Sequence, residues 1–276
     1  MEPSPSLPSP PAPSPAEMYE QYFVPAMFRP WSQILLGRAA PQPGEQLLDV
    51  ACGTGVVARE AAALIAPGGQ AVGLDMNPAM LAVARTATPP GQAIQWQQGD
   101  AMALPFAEAH FDLVLCQHGL QFFPDRVGAL REMQRVLRPG GRAVLMVLQA
   151  LNRHPVFEAL MQSVARHLAL PVAAVALPFA LSDAEALRQL CLDAGFANTQ
   201  VFAESTDVHF PYAEHFVPRA VTSSAAAVPA FVQLAAPERA SLLRAVATDV
   251  AATLQAYRVG NGLQFHMFAH LALARR

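Results

Sequence analysis

The stretch Leu47-Leu48-Asp49-Val50-Ala51-Cys52-Gly53-Thr54-Gly55 decides the reading of this chain. It begins as a short apolar run, carries one acid ahead of its glycines, and passes into a helical pattern at Val56-Val57-Ala58-Arg59. A strand, a glycine turn and a helix N-terminus in that order suit a nucleotide-like ligand, because glycine lets the backbone come close and the helix start offers free N–H groups. Asp49 narrows the choice. It lies where a dinucleotide would bring its pyrophosphate, and like charges there repel. A ligand with positive charge near the turn is favoured instead.

Two further acids follow in step. Asp75 ends the second predicted strand (residues 70–74), roughly twenty residues after the turn, the spacing of a carboxylate that binds ribose hydroxyls. Its plainer alternative is an acid ahead of the helix over 78–85, which Asn77 is placed to cap. Met76 and Met80 suit one face of an adenine, although lone methionines more often pack in a core. The third predicted strand, 94–97, runs into Gly99-Asp100-Ala101-Met102. In a doubly wound sheet this loop joins the first two at the carboxyl edge. There Asp100 can accept from an exocyclic amine, and the amides of Ala101 and Met102 can meet ring nitrogens.

Strands and helices keep alternating: a fourth strand over 111–116, a helix over 127–137 ended by Pro139-Gly140-Gly141, and a fifth strand over 142–148. That alternation predicts a parallel sheet covered by helices on both faces. Upstream, residues 1–15 form a Ser/Pro repeat expected to be a disordered tail. Residues 16–45 form an aromatic-rich helical lid that Pro25 and Pro30 should break in two. Downstream, helices are expected over 155–170 and 182–194, the second with Ser182 as its cap and Glu185 as the capping-box partner. Strands over 199–210 and 264–274 flank a mainly helical 212–257. The domain reading is therefore tail, lid, a Rossmann-like core over 46–150, and a region over 151–276 that completes the sheet and adds a helical cap.

Composition limits the chemistry. More than half of the 276 residues are apolar and the formal net charge is −3, so no basic footprint for nucleic acid is present. All 18 basic residues are arginine, which removes Schiff-base chemistry and the lysine of a P-loop. The three cysteines, Cys52, Cys116 and Cys191, are too few and scattered for a disulfide framework or a zinc site, and no metal is expected. They fit a reducing, cytoplasmic setting. The longest apolar run, 168–181, is interrupted by Pro171 and Pro178 and is short of a membrane span.

Taken together, Asp49 to Gly55, Gly73-Leu74-Asp75-Met76-Asn77-Pro78-Ala79-Met80-Leu81, Gly99-Asp100-Ala101 with Leu104-Pro105-Phe106 and Phe111-Asp112, and Leu137-Arg138-Pro139-Gly140-Gly141 resemble a class I methyltransferase dependent on S-adenosylmethionine (SAM). The likeness is nearest to the small-molecule branch that includes the ubiquinone/menaquinone-biosynthesis C-methyltransferases, and it spans about residues 46–148. It implies an α/β, doubly wound, Rossmann-like seven-stranded sheet with its last strand antiparallel, N-terminal helices and a helical cap. It implies SAM as cofactor, with Asp49, Ala51, Gly53, Thr54, Gly55 and Gln117 on the methionine side. Asp75 and Met76, with Met80, would hold ribose and adenine; Asp100, Ala101 and Met102 would hold the adenine. Tyr22 would close over the site from the lid.

Methyl transfer from a sulfonium is an in-line displacement in which the protein aligns the partners and excludes water. His118, just past strand four, is the best-placed candidate base; His154, His209, His215 and His266 are weaker ones. The cap residues Phe157, Met161, Phe179, Phe216 and Phe231 predict an acceptor with much apolar surface. The expected partner is thus a small-molecule methyl acceptor, with no nucleic acid and no membrane span, in a chain that could dimerise. DNA-type methyltransferases are disfavoured, since Cys116-Gln117-His118-Gly119 lacks their Asn/Asp-Pro-Pro-aromatic motif. Three other readings stay open: a nicotinamide oxidoreductase on Gly53, Gly55 and Ala58, a non-catalytic SAM-binding accessory protein, and a SAM enzyme that does not methylate.

Overall fold

The computed structural model describes residues 13–225 and 228–276; most of the predicted tail lies outside them. Its last residue, Pro15, opens a helical turn at Pro15–Met18 (α1), which Ser14 caps by exchanging bonds with Glu17. No break follows. The chain continues as a π-helix over Tyr19–Phe28 and then as α2, Arg29–Ala39. Pro25 does not divide this run as expected. It lacks an N–H to give, and in the wider turn the ladder is carried by bonds from residue i to i−5, as from Arg29 N to Val24 O. Pro30 follows near the start of α2 and does not break the run either.

The sheet is built from β1 (Gln46–Val50), β2 (Gln70–Asp75), β3 (Ile94–Gln98), β4 (Phe111–Gln117), β5 (Leu137–Leu148), β6 (Asn198–Phe210), β7 (Arg258–Val259) and β8 (Gly262–Arg275). The order is β3-β2-β1-β4-β5-β8-β6, with β7 paired to β8. The first five strands are parallel and β8 is antiparallel to both neighbours. Eight strands replace the seven expected, because the chain entering β8 folds into a hairpin whose short arm, β7, pairs through Arg258–Leu263 and Val259–Gly262. Two residues are too few to leave a period-two pattern.

Helices α3 (Val56–Ile65), α4 (Pro78–Ala87) and α5 (Arg126–Val136) cross over between parallel strands. The predicted cap is confirmed at α4, where Ala79 N donates to Asn77 Oδ1 at 2.9 Å. Helix α5 ends one residue early. Leu137 already pairs with Phe111, and the Pro139-Gly140-Gly141 turn is a bulge inside β5, with pairing resumed at Leu113–Arg142. Next come α6 (Pro155–His167), α7 (Val172–Val175) and α8 (Ala184–Asp193). The cap of α8 is Asp183 rather than Ser182: its carboxylate accepts from Ala186 N at 2.7 Å. A carboxylate answers the helix dipole better than a hydroxyl. Helices α9 (Ala213–Ser224), α10 (Pro229–Val232) and α11 (Ala236–Gln255) lie between β6 and β7.

Two cores result. One face of the sheet packs under the lid, α3, α6, α9 and α11; the other packs under α5, α8 and the loop after β3. Among the described residues, no helix is long and apolar enough to cross a membrane. The strand order reverses between β1 and β4, which opens a crevice at their carboxyl ends.

One packing feature fixes the edge of that crevice. The Trp96 ring packs against Gly55 and Gly73; a Cβ on Gly73 would meet it at 2.3 Å. Gly73 has ordinary strand geometry, so Gly73→Ala tests space alone. It is expected to cost about 1–3 kcal/mol through overpacking and to change the Trp96 fluorescence. An unaltered melting temperature would overturn this account.

Candidate functional site

The crevice widens into a cavity of about 360 Å³. Its floor is the turn after β1. Ala51 has φ 56°, a left-handed conformation that costs a non-glycine residue about 1–2 kcal/mol, and Gly53 and Gly55 continue the turn at φ 56° and 84°. His118, the first residue after β4, is also left-handed at φ 53°. The two neighbouring central strands therefore both end in strained backbone that faces the cavity. Gly119 lets them approach: a Cβ there would lie 2.8 Å from the Ala51 Cβ.

Acids sit at two depths. Asp49, 1% exposed, lies beneath the turn and accepts from Ala58 N, in the first turn of α3, at 3.1 Å. Burial above all, with Asp75 nearby, pushes its pKa up to about 8. Asp75 reaches the cavity wall, its two oxygens accepting from Gly53 N and Asn77 N, each at 2.8 Å. Among the described residues it is the only carboxylate on the wall, and no arginine lines it.

The lid forms the roof. Tyr19, Phe23, Met27 and Phe28 all line the cavity, and the rings of Tyr19 and Phe28 stack at 4.7 Å. In an α-helix, 3.6 residues per turn would rotate Phe28 away from Tyr19 and Phe23; the wider π turn brings them to one face. Two bonds, Arg59–Glu20 and Gln117–Phe28, hold the roof down. Arg59, 8% exposed on α3, pairs with Glu20 at 2.6 Å. It also donates to Thr54 O. Gln117 Nε2 donates to Phe28 O at 3.0 Å, which joins the end of β4 to the lid.

Of the sequence-predicted site residues, Ala51, Gly53, Asp75, Met80, Gln117 and His118 meet around the cavity. Asp49 and Thr54 are buried just behind it, and Gly55 lies under Trp96. Met76 is 76% exposed, Asp100 is exposed and accepts from Met102 N, and Ala101 and Met102 stand apart from the cavity wall. Tyr22 is buried off the wall, packed on Phe210 with Arg219 over its ring; Tyr19, one helical turn earlier, takes the wall position.

His118 touches Phe28 and Trp31, and burial first, then His154, lowers its pKa to about 3. Among the described residues neither of its ring nitrogens has a partner. The other histidines lie off the wall. His154 bonds backbone through both nitrogens, and His266 pairs with Asp207 at the surface. Sequence reasoning missed Gln121 and Asn77 on the wall and the Arg59–Glu20 pair behind it. Only a polar residue in the loop after β4 could have signalled Gln121. Among the described residues no cluster of His, Cys, Asp and Glu could hold a metal.

This doubly wound sheet, with its crevice at the reversal and its antiparallel β8, is the class I methyltransferase fold, and residues 48–145 match the methyltransferase domain family. The 2-phytyl-1,4-naphtoquinone methyltransferase of Synechococcus elongatus is 37% identical over 123 residues, 44% of this chain and 53% of that protein. The demethylmenaquinone methyltransferase of Staphylococcus carnosus is 40% identical over 128 residues, 46% and 51% of the two chains. The chain thus spans about half the length of the curated relatives it matches. Among solved structures, the YcgJ protein of Bacillus subtilis superposes with a TM-score of 0.57 at 19% identity, over 89% of this chain and 97% of that one. Phosphoethanolamine N-methyltransferase 2 of Haemonchus contortus, solved with S-adenosyl-L-methionine, gives 0.54 at 20% identity, over 89% and 52%.

The burial of Asp49 has a measurable consequence. Its folded pKa is raised, so between about pH 4 and pH 8 the folded chain holds a proton that the unfolded chain has released. Stability is then full at the acid end and falls as pH rises through that window. Asp49→Asn keeps the acceptor for Ala58 N and removes the loss. Without ligand, the variant should be more stable than the parent at pH 8, on the order of 1–3 kcal/mol, with the gap narrowing towards pH 5. Parallel melting-temperature profiles for the two proteins would overturn it.

Proposed function

We propose that the chain is a SAM-dependent methyltransferase acting on a small, largely apolar or aromatic acceptor. The observation that carries this reading is that the family match falls on the stretch whose turn, Ala51–Gly53, and acid, Asp75, line the cavity. The residues suit a cationic cofactor. Asp75 lies on the wall, and among the described residues no arginine on the wall opposes it. The cofactor would bring the reactive methyl group and its own leaving group.

On this reading Ala51, Gly53 and Gln117 hold the amino-acid end, and Asp75 with Met80 holds the nucleoside end. Met76, Asp100, Ala101 and Met102 complete the adenine side from the rim, while Asp49, Thr54 and Gly55 shape the turn from beneath. Tyr22 supports the lid through Phe210, and Tyr19 closes it. A core over 46–150 would take the cofactor and the cap over 151–276 the acceptor. The cap's contributions to the wall, Phe157, Met161, Phe179 and Met267, are apolar, which matches the quinone-named relatives. The three cysteines are free and buried, which agrees with a cytoplasmic setting. A homodimer is compatible with this reading.

Titration calorimetry should show SAM or S-adenosylhomocysteine (SAH) binding and no NAD(P) binding. Asp75→Asn should weaken SAH by about 10- to 100-fold, the value of one hydrogen bond to a charged acceptor. Binding of NAD(P) in place of SAH would sink the assignment. With an acceptor in hand, His118 should add no acid limb to the kcat profile between pH 5 and pH 8, because an imidazole with a pKa near 3 stays neutral throughout. An imidazole limb near pH 6.5 that disappears in His118→Asn would contradict this.

A further inference from the structure

The wall holds hydrogen-bonding capacity that the cofactor reading leaves unused. Gln121, in the single turn Leu120–Phe122 after β4, is 3% exposed and lines the cavity. Its Nε2 donates to His118 O at 2.8 Å, which settles the orientation of the amide. Oε1 is buried, and no donor among the described residues reaches it. Buried side-chain oxygens without a partner are uncommon, and because Gln121 is a cavity-lining residue, a ligand in the cavity is the available source of the missing donor. Beside it, the neutral imidazole of His118 has one N–H and one lone pair to offer, both unpartnered. The surroundings are apolar: Phe28, Phe157, Phe179 and Met161 share the same wall.

We propose that Gln121 is a specificity residue of the acceptor site, its Oε1 accepting from an O–H group on an otherwise apolar, uncharged acceptor while His118 bonds the oxygen of the same group. This rests on the methyltransferase reading and assigns the polar end of its acceptor. Orientation supports the division of labour. Because Nε2 is held by His118 O, Gln121 cannot turn to offer a donor without breaking that bond. An acceptor with a bare carbonyl or ether at this point would leave Oε1 unpaired and be rejected, whereas a hydroxyl satisfies both side chains at once.

The test uses the full chain with 1-naphthol and 1-methoxynaphthalene as probes, titrated with and without SAH. The parent protein should bind the naphthol at least about tenfold more tightly than its methyl ether. Gln121→Met should bring that ratio below about threefold by weakening the naphthol alone, with SAH affinity unchanged within about twofold as the check on folding. Gln121→Glu should restore most of the ratio, since its protonated side chain keeps one donor for His118 O and one acceptor for the ligand. A ratio that survives in Gln121→Met, a parent protein that does not discriminate, or no naphthol binding at all would overturn the role of Gln121. Failure of the parent to bind SAH would instead sink the cofactor reading, and the titrations without SAH would still decide the role of Gln121.

Discussion

A carboxylate withdrawn from water at the end of the central strand constrains the rest of this molecule. Asp49 is flanked across the sheet by Gly73 on β2 and Leu115 on β4, so neither neighbour offers it a polar group. What it has is the start of α3: the Ala58 N–H, the positive end of the helix dipole, and Arg59 one residue further on. These fall short of the desolvation cost, as its raised pKa records. The turn between β1 and α3 must therefore be tight enough to bring the helix N-terminus over the acid, which accounts for the left-handed Ala51, Gly53 and Gly55. Arg59 is drawn in by the same geometry and reaches Glu20, so the lid is fastened through the residue beside the acid's own helix contact.

The second central strand repeats the device with different chemistry. His118 leaves β4 in the same backbone conformation in which Ala51 leaves β1, and the two turns touch because Gly119 has no side chain. One turn donates through Gly53 N to Asp75, the carboxylate on the cavity wall. The other brings a neutral ring that burial keeps from charging. On the proposed function, that asymmetry would suit a reaction between a cationic donor and an uncharged acceptor, in which charge is spread rather than created. The Asp75 carboxylate would favour the cation, and the apolar wall would exclude water that competes for it.

Much of this was legible in the sequence where local rules act alone. Helix α3 starts where the pattern placed it, and Asn77 caps α4. These features depend on neighbours within a few residues. The sequence misled where distant parts of the chain decide. Pairing of Leu137 with Phe111 makes Pro139-Gly140-Gly141 a bulge rather than the stop after a helix. Arg59 reads as an ordinary helix residue until Glu20, 39 positions earlier, is folded against it. Gln121 carries no periodic signal, and only the cavity beside it shows that its oxygen is unmet.

The lid shows most clearly why the candidate site was only partly readable. Tyr19 and Tyr22 are three residues apart, and on an α-helix the two would stack on one face with nothing to choose between them. The π register changes the phase, because each wider turn rotates successive side chains by less than an α-helix does. Tyr19 then aligns with Phe23 and Phe28 over the cavity, while Tyr22 turns towards Phe210 and the cap. Pro25 favours that register, since a proline inside an α-helix forfeits a bond and crowds the preceding turn. The Gln117–Phe28 bond reinforces it from the strand side by holding the last carbonyl of the π segment. A helix phase set jointly by one proline and by a glutamine 89 residues away lies beyond any window of local sequence.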